Sequence, residues 1–346
     1  MYKIGVFPLR AMPLHRGHIN SIIHAATKAE TLYVVLCDNP ERTREECVAA
    51  GLPVMDAKMR LKWLGIELQG FNHIKTVLLD ESDVPRYPFG WEKWSDKLNK
   101  LIPHKIDVIF GGEPSYTEGY QKWYPETVYE LFDYKRERYP VSGTEVRSHP
   151  FRHWEYIPGA ARPFFTKKFL NTGTESCGKT TITKYLAKIY YTSWSEELGR
   201  YYSARNFGGR EDVYSVEDFE RIVVLQDEQD KEAIRTANKI TFFDSDAVVT
   251  QYYLEMYLGV KSSLIDTYIE KYRKEKKFDY ILFYEPDVKW VDDGLRFLGE
   301  QEVREKNSKK LLEMYKNYGF DNIYIINGNY EERLEKTINF VDRILE

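Results

Sequence analysis

The chain has 346 residues, of which 42% are hydrophobic and 30% are charged, as expected of a globular protein long enough for about two domains. Its formal net charge is −4 and it has no long basic tract, so we expect no nucleic-acid partner. No apolar run approaches the roughly 20 residues that cross a bilayer, so we expect no membrane insertion.

In the first half of the chain, apolar runs typical of strands alternate with helical patterns. The strand-like runs are Lys3–Phe7, Leu32–Cys37, Ile74–Leu79, Ile106–Phe110 and Val128–Phe132. This alternation predicts an α/β domain with a parallel sheet and helices on both faces. Ligands of such sheets bind beyond the carboxyl ends of the strands, so we expect a site at that edge.

A His-x-Gly-His motif follows the first strand, at the start of a helical pattern. His15 and His18 place two imidazoles beside a helix N-terminus, and Gly17 lets the backbone approach a phosphate closely. Two imidazoles in this position can hold the phosphates of ATP and stabilise the charge of a pentacovalent transition state. Alternatively, the two histidines only cap or fill the turn.

A second helix start follows the run that ends at Phe132. Ser142 and Glu145 have the spacing of a capping box, which marks a helix N-terminus and hence a second anion site. Ser142 and Thr144 are therefore candidate ATP-binding residues, and Arg147 can clamp a triphosphate from the other side. An ordinary cap followed by a surface arginine would show the same pattern.

Proline and glycine interrupt regular structure between Pro150 and Pro163. We place a boundary there, between a domain of residues 1–155 and a domain of residues 164–346. The second domain repeats the alternation, with strand-like runs at Lys168–Asn171, Lys239–Phe243, Tyr280–Phe283 and Asn322–Ile326. The sequence thus predicts an α/β protein with two doubly wound parallel sheets.

The most specific motif is the phosphate-binding loop pattern Gly-x-x-x-x-Gly-Lys-Thr, which follows an apolar run and leads into a helical pattern. Its backbone amides are expected to cradle the phosphates of ATP. Lys179 would reach the β- and γ-phosphates, and the Thr180 hydroxyl would ligate Mg²⁺. A chance glycine-rich turn is the alternative. The candidate ATP-binding residues are Gly173, Thr174, Glu175, Ser176, Cys177, Gly178, Thr180 and Thr181.

An acidic pair follows the strand-like run at Lys239–Phe243. Asp244 has the position of a Walker-B-like carboxylate near Mg²⁺, and Asp246 follows two residues later. One acid can order the water around magnesium while the other hydrogen-bonds or deprotonates the substrate hydroxyl, and the sequence leaves open which does which. The metal candidates are thus Thr180 and Asp244; a strand-end aspartate that caps a helix is the alternative.

His15-x-Gly17-His18 together with Ser142-x-Thr144-x-x-Arg147 resembles the nucleotidylyltransferase superfamily. With the phosphate loop, nearly the whole chain is similar to the NadR-type bifunctional enzymes of NAD synthesis. The resemblance implies a Rossmann-like nicotinamide mononucleotide adenylyltransferase domain followed by a P-loop ribosylnicotinamide kinase domain. Further matching segments are Gly51–Pro53, Arg60–Leu64, Pro85–Pro88, Glu197–Arg200, Phe243–Asp246 and Trp290–Arg296.

The resemblance implies ATP, ribosylnicotinamide and nicotinamide mononucleotide as substrates, NAD as product and Mg²⁺ as cofactor. It points to Trp91 as the residue that stacks on the cationic nicotinamide ring, although aromatic packing is an alternative. It places Glu197 and Arg200, after a strand-like Ile189–Thr192, near the riboside; a solvated acid is the alternative for Glu197.

The charged segment near residues 290–310 resembles the lid of small-molecule kinases. Arg296 and Arg304 are the candidates that bring a cation to the transferred phosphoryl group. Trp290 and Asp292 are candidate substrate-binding residues. A role in the core for Trp290 and a solvated helix face for Arg304 are the alternatives.

One stretch departs from the family pattern. Adenylyltransferases of this kind usually have a Gly-x-Phe-like turn before Pro-Leu-His, where this chain has Pro8–Met12. Leu9 carries a Cβ and resists a positive φ, whereas Arg10 adds a cation. Two alternatives therefore stay open: a ribosylnicotinamide kinase whose first domain binds nucleotide but is weak or inactive, and a nucleotide-sensing regulator of riboside uptake.

Some relatives begin with a helix-turn-helix domain, for which there is no room before the first strand, so we expect no repressor function. Cys37, Cys47 and Cys177 lack metal-ligand spacing and favour a reducing, cytoplasmic location. The sequence permits a homo-oligomer without indicating one.

Overall fold

The computed structural model describes residues 1–210, 212–288 and 301–346, which form two compact units that divide between Phe164 and Phe165. Each unit contains one five-stranded sheet. The doubly wound α/β class expected from the sequence is confirmed. Among the described residues, no helix is both long and apolar enough to cross a membrane.

The first unit is built on a parallel sheet with the strand order β3-β2-β1-β4-β5. Its strands are β1 (Tyr2–Leu9), β2 (Ala29–Asp38), β3 (Ile74–Asp80), β4 (Val108–Gly111) and β5 (Val128–Leu131). Because β1 pairs with both β2 and β4, the order of the strands reverses beside β1. The carboxyl ends of β1 and β4 therefore flank the crevice where such sheets bind ligands.

The helices of this unit connect the strands and position their ends. Their bounds are α1 (Arg16–Ala26), α2 (Pro40–Ala49), α3 (Ala57–Glu67), α4 (Trp91–Leu101), α5 (Thr117–Trp123) and α6 (Gly143–Ser148), and α7 (Arg162–Phe165) lies at the division between the units. Helix α2 illustrates the local cause: the Asn39 side chain accepts the Arg42 N–H at 3.0 Å, and Pro40 takes the first position, where no N–H is needed.

Apolar side chains of the sheet pack against α4 and α5. Val6, Val35 and Ile109 of the strands are fully buried with Leu98 of α4. Burying a side chain of this size stabilises the fold by about 1.5–3 kcal/mol. This core fixes the strand ends that carry the polar residues described below.

Arg60 on α3 is fully buried and fastens the turn that follows β1. Its guanidinium pairs with the buried Asp38 carboxylate at the end of β2. It also donates to the Met55 carbonyl at 2.9 Å and to the Arg10 carbonyl at 2.6 Å. The ion pair thus ties α3, β2 and the Arg10 turn together.

The second unit is also built on a parallel sheet, with the strand order β10-β9-β6-β8-β7. Its strands are β6 (Lys167–Thr172), β7 (Trp194–Ser195), β8 (Ile240–Phe243), β9 (Tyr280–Tyr284) and β10 (Ile323–Ile326). The reversal of strand order lies beside β6, whose carboxyl end leads directly into the phosphate-loop motif. Phe169 and Phe242 are fully buried in this sheet.

Helices again follow the strands in this unit. Their bounds are α8 (Lys179–Ile189), α9 (Leu198–Phe207), α10 (Val216–Arg235), α11 (Ala247–Leu258), α12 (Ser263–Lys274), α13 (Gln301–Asn317) and α14 (Tyr330–Leu345). One local expectation is wrong: Ile189–Thr192 is not a strand, because α8 continues to Ile189. The strand before Glu197 is the two-residue β7, too short for periodicity to show.

We predict that Arg60→Leu destabilises the first unit by about 3–5 kcal/mol, since it leaves the Asp38 carboxylate buried without its counter-ion. The measurement is urea unfolding followed by tryptophan fluorescence, to which the first unit contributes five of the seven tryptophans. The control is Arg86→Leu, which removes an exposed pair with Glu45 and should cost below about 1 kcal/mol. Similar losses in the two variants would contradict the role assigned to Arg60.

Two candidate nucleotide-binding sites

A cavity of about 410 Å³ opens in the first unit at the carboxyl ends of its strands. Residues at or just beyond the ends of β1, β2 and β4 line it, among them Arg10, Asn39 and Gly112. His15 and His18 also line it. The edge expected from the strand order is therefore the edge that carries a cavity.

The His-x-Gly-His motif forms the N-terminus of α1. The rings of His15 and His18 stack with centroids 3.7 Å apart, and the His15 backbone N–H donates to Nδ1 of His18 at 3.3 Å. Because Nδ1 accepts, the proton of neutral His18 lies on Nε2, which can donate to an anion. A Cβ at Gly17 would lie 3.0 Å from the His15 ring, so a larger residue would require this ring to shift by a few tenths of an ångström.

Both imidazoles are held neutral. Burial, followed by the charge of Arg136, lowers the pKa of His15 to about 4, although Glu145 opposes this. Burial, His15 and Arg136 also lower the pKa of His18 well below its usual value. The pair thus supplies hydrogen-bond donors at neutral pH, while the positive charge near it comes from arginine.

Four arginines line the cavity as well: Arg10, Arg42, Arg86 and Arg136. Nε and Nη2 of Arg10 are buried and have no hydrogen-bond partner within the described chain. Unsatisfied buried donors are costly, which indicates that an anion belongs beside them. Sequence reasoning missed Arg42 and Arg136 because neither lies in a recognisable motif.

The capping box at Ser142 is present, as its spacing predicted. The Ser142 hydroxyl accepts the Glu145 N–H at 3.2 Å, and the Glu145 carboxylate accepts the Ser142 N–H at 2.6 Å. Arg147 donates to the Met12 carbonyl and to the Thr144 hydroxyl, and pairs with Glu46 at 3.2 Å. Ser142, Thr144 and Arg147 do not line the cavity, so their contact with ATP stays a prediction.

An aromatic wall forms another side of the cavity. Trp91 begins α4 and meets the Tyr120 ring edge-on, with centroids 4.9 Å apart; Trp94 and Tyr116 complete the group. A Cβ at Gly119 would lie 2.1 Å from the Trp91 ring, so this glycine makes room for the indole. Trp91 therefore packs in the wall and also lines the space where a planar ring can bind.

The turn before His15 avoids the strain that its sequence suggested. Leu9 is the last residue of β1 and needs no positive φ, whereas Ala11 adopts a φ of 49°. Alanine has the smallest side chain of the residues that carry a Cβ, so it adopts this φ at a lower cost than a bulkier residue. The hydrogen bond from Arg60 to the Arg10 carbonyl holds the turn. The departure at Leu9 therefore does not by itself distort the site.

The phosphate-loop motif of the second unit runs from the end of β6 into α8. Gly173 has a φ of 145°, and a Cβ there would lie 2.6 Å from the Tyr284 carbonyl oxygen. The Thr174 and Ser176 hydroxyls are buried and have no partner within the described residues. Cys177 is buried, Glu175, Gly178 and Thr180 are half-buried, and Thr181 is exposed.

Lys179 is the first residue of α8 and is only 4% exposed. Burial opposes its charge, but the charges of Glu197, Cys177 and Asp244 raise its pKa overall. The ammonium therefore stays protonated at the helix N-terminus. A buried cation in this place is suited to binding phosphate oxygens.

Asp244 and Asp246 follow β8 but differ in their contacts. Burial raises the pKa of Asp244 to about 7; Lys179 and the Thr180 hydroxyl oppose this, yet neither carboxylate oxygen makes a hydrogen bond of good geometry within the described chain. Asp246 caps α11: its Oδ1 accepts from the Val249 N–H at 3.1 Å and from the Tyr315 hydroxyl at 2.7 Å. Asp244 is thus the acid with both oxygens available.

Beside the loop lies a smaller pocket of about 60 Å³, lined by Glu175, Glu197 and Arg200 among others. Glu197 and Arg200 pair at 3.7 Å. Gln226 was missed from the sequence; its Oε1 accepts the Leu198 N–H at 3.1 Å and its Nε2 donates to the Glu196 carbonyl at 3.1 Å. It therefore holds the backbone on both sides of Glu197.

Two arginines fasten the loop from outside. Arg304 of α13 donates to the Ser176 carbonyl of the motif at 3.4 Å and to the Val288 carbonyl at 3.1 Å, and its contact with ATP stays a prediction. Arg333 of α14, which no motif marks, donates to the Cys177 carbonyl at 2.6 Å. The candidates Trp290, Asp292 and Arg296 lie outside the described residues.

Known proteins are similar to this chain over nearly its whole length. A family model described as an AAA domain matches residues 168–333. The trifunctional NAD biosynthesis/regulator protein NadR of Escherichia coli (strain K12) is 31% identical over 352 residues, which cover 99% of this chain and 83% of that protein. The chain belongs to the NadR family. The NadR of Salmonella typhimurium (strain LT2) is also 31% identical, with the same two coverages.

Two solved NadR structures are similar to this fold. A crystal structure of NadR in complex with NR has a TM-score of 0.81 and 25% identity, covering 99% of this chain and 95% of its own. A second, in complex with NAD and AMP-PNP, has a TM-score of 0.80 and 26% identity, covering 100% and 96%. The NadR family resemblance of the sequence is thereby confirmed.

We predict that the first unit loses about 2 kcal/mol of stability between pH 7 and pH 5 because of His15. The pKa of His15 falls from 6.5 in the unfolded chain to about 4 in the folded chain, so the folded chain favours the neutral imidazole. Its contribution to stability is therefore complete above about pH 6.5 and is lost as the pH falls towards about 4. Urea unfolding at both pH values tests this. His15→Gln should lose less stability between the two pH values than the wild-type protein. A change of the exposed His104 to glutamine should lose as much as the wild type. A His15→Gln protein that loses as much as the wild type would contradict the assignment.

Proposed function

We propose that the two units catalyse consecutive transfers of NAD synthesis. The second unit phosphorylates ribosylnicotinamide with ATP, and the first joins the resulting nicotinamide mononucleotide to the adenylyl group of a second ATP, giving NAD and pyrophosphate. The observation that carries this proposal is that each unit has unsatisfied, buried polar groups at the carboxyl edge of its sheet, in a chain of the NadR family. A NadR has been solved with NR, and another with NAD and AMP-PNP.

In the second unit, the phosphate loop and Lys179 bind the phosphates of ATP. The 5′-hydroxyl oxygen of the riboside attacks the γ-phosphorus, the bond to the β-phosphate oxygen breaks, and ADP leaves. Asp244, whose burial raises its pKa to about 7, lies near Lys179 and can accept the hydroxyl proton. Glu197, held by Gln226, and Arg200 line the adjoining pocket for the riboside.

Mg²⁺ fits this site. The free oxygens of Asp244 and the hydroxyl of Thr180 are the hard oxygen donors that Mg²⁺ prefers, and Asp246 keeps one buried oxygen without a partner. When bound, the ion would neutralise charge on the phosphates.

In the first unit, the neutral imidazoles and the arginines hold the triphosphate. A phosphate oxygen of nicotinamide mononucleotide attacks the α-phosphorus, the bond to the β-phosphate breaks, and pyrophosphate leaves without a net proton transfer. His18 donates from Nε2, while Arg10, Arg42 and Arg136 line the cavity with positive charge. Trp91 in the aromatic wall is suited to the cationic nicotinamide ring.

The location we propose is the cytoplasm. Cys37, Cys47 and Cys177 are free and buried, which suits a reducing compartment. The absence of nucleic-acid partners and the oligomeric state stay predictions from the sequence.

Reciprocal variants test the assignment of one reaction to each unit. We expect Lys179→Ala to reduce phosphorylation of ribosylnicotinamide on the order of 100-fold or more, because it removes the buried cation of the loop, while conversion of nicotinamide mononucleotide to NAD continues. We expect His18→Ala to have the reverse effect. Chromatographic product analysis with Mg-ATP and each substrate gives both rates.

Each variant must retain one activity, which shows that its unaltered unit is folded; urea unfolding followed by tryptophan fluorescence shows that its altered unit is folded. Loss of both reactions in a folded Lys179→Ala protein would contradict two separate sites. A wild-type protein that makes mononucleotide from riboside but no NAD would show that the first unit is inactive, as one alternative from the sequence holds.

A further inference from the structure

Three arginines of the first unit converge on a single carboxylate, that of Glu46 on α2. Oε1 lies 2.6 Å from Nη1 of Arg10 and 3.0 Å from Nε of Arg42, and Oε2 lies 3.2 Å from Nη2 of Arg147. The arginines come from the turn after β1, from α2 and from α6. One side chain thus joins the segment before the histidine motif to the segment of the capping box.

Glu46 pairs with these arginines outside the lining of the cavity. Arg10 and Arg42 line the cavity, but Glu46 does not. Its carboxylate accepts a hydrogen bond from Nη1 of Arg10, while Nε and Nη2 of Arg10 stay buried without a partner among the described residues. Nε and Nη2 form the edge of a guanidinium that binds two phosphate oxygens at once. The carboxylate therefore leaves this edge of Arg10 without a partner and, by holding Nη1, fixes the direction in which the edge points.

The charge state agrees with this geometry. Burial works against ionisation, but the hydrogen bond from Arg10 and the charges of Arg10 and Arg147 lower the pKa of Glu46 overall. The carboxylate is thus ionised at neutral pH. Without it, three like charges would lie together and repel, and each long side chain would regain its rotamer freedom.

We propose that Glu46 is a positioning residue of the adenylyl-transfer site, which holds the three arginines as one array and presents the free edge of Arg10 to the triphosphate of ATP. This deepens the function proposed for the first unit and rests on it. Glu46 does not touch ATP; it acts through the arginines.

The test is calorimetric titration of Mg-ATP into the full chain carrying Lys179→Ala, which weakens ATP binding to the second unit. Adding Glu46→Gln keeps the size of the side chain but turns one acceptor oxygen into an N–H donor that faces a guanidinium. Losing one such charge-assisted hydrogen bond should raise the Kd for Mg-ATP about tenfold. The KM for ATP in adenylyl transfer should rise likewise, with the KM for nicotinamide mononucleotide unchanged.

Two further variants separate positioning from net charge and from misfolding. Glu46→Asp keeps the charge but is too short for all three arginines, so it should also weaken ATP binding; it decides the matter if Glu46→Gln does not fold. Glu41→Gln removes a charge from an exposed position of the same helix and should leave the Kd unchanged. Riboside phosphorylation by Glu46→Gln with Lys179 intact reports that the second unit is folded, and urea unfolding followed by tryptophan fluorescence reports that the first unit is folded.

Unchanged or tighter ATP binding in folded Glu46→Gln and Glu46→Asp would overturn the proposal. If Glu46→Gln weakens ATP binding but the parent chain makes no NAD from the mononucleotide, the positioning role stands and the adenylyltransferase function fails. If the Lys179→Ala parent binds no ATP at all, both fail.

Discussion

Buried polar groups that lack hydrogen-bond partners within the described chain are the constraint on which both sites depend. Lys179 and Asp244 are almost fully buried in the second unit, and Arg10 has buried donors without partners in the first. Such groups cost free energy in a folded protein unless an ion or a hydrogen-bonding partner meets them. We propose that a polyphosphate with its metal ion supplies what is missing, in which case its binding would also stabilise each unit.

The parallel sheets explain why these groups meet. In each unit the strand order reverses beside the first strand, so the carboxyl end of that strand opens into a crevice flanked by a helix N-terminus. Around this edge, a surrounding layer fixes the residues that face the ligand. Arg60 holds the Arg10 turn, Gln226 holds the backbone around Glu197, and Arg333 holds the phosphate loop. None of the three lies in the nucleotide motifs themselves.

The sequence was sufficient for what depends on local pattern. Alternating apolar runs located every described strand except the two-residue β7. The phosphate-loop motif located Lys179 because glycine positions and a helix start are visible in one short segment. Contacts between distant segments were not visible. Arg136, Gln226 and Arg333 act through partners far away in the chain, and no spacing rule marks them.

Local rules also failed where a neighbour took over the task. The predicted difficulty at Leu9 disappears because Ala11 takes the positive φ. The pair of Arg147 with Glu46 joins segments far apart in the chain, so no local pattern indicated it, and the contact of Arg147 with ATP stays a prediction. The capping box at Ser142 could be predicted from the sequence because its two partners lie three residues apart. The sequence did not show which part of the protein the capped helix faces. Tertiary contacts, rather than propensities, decide these positions.

The central claim is that each unit contains its own nucleotide site. Titration of the wild-type chain with Mg-AMP-PNP, which does not support phosphoryl transfer, tests it most directly by calorimetry. We expect two binding events per chain, one of them lost in Lys179→Ala and the other retained there. A single binding event per wild-type chain would show that one unit does not bind the nucleotide and would contradict the account.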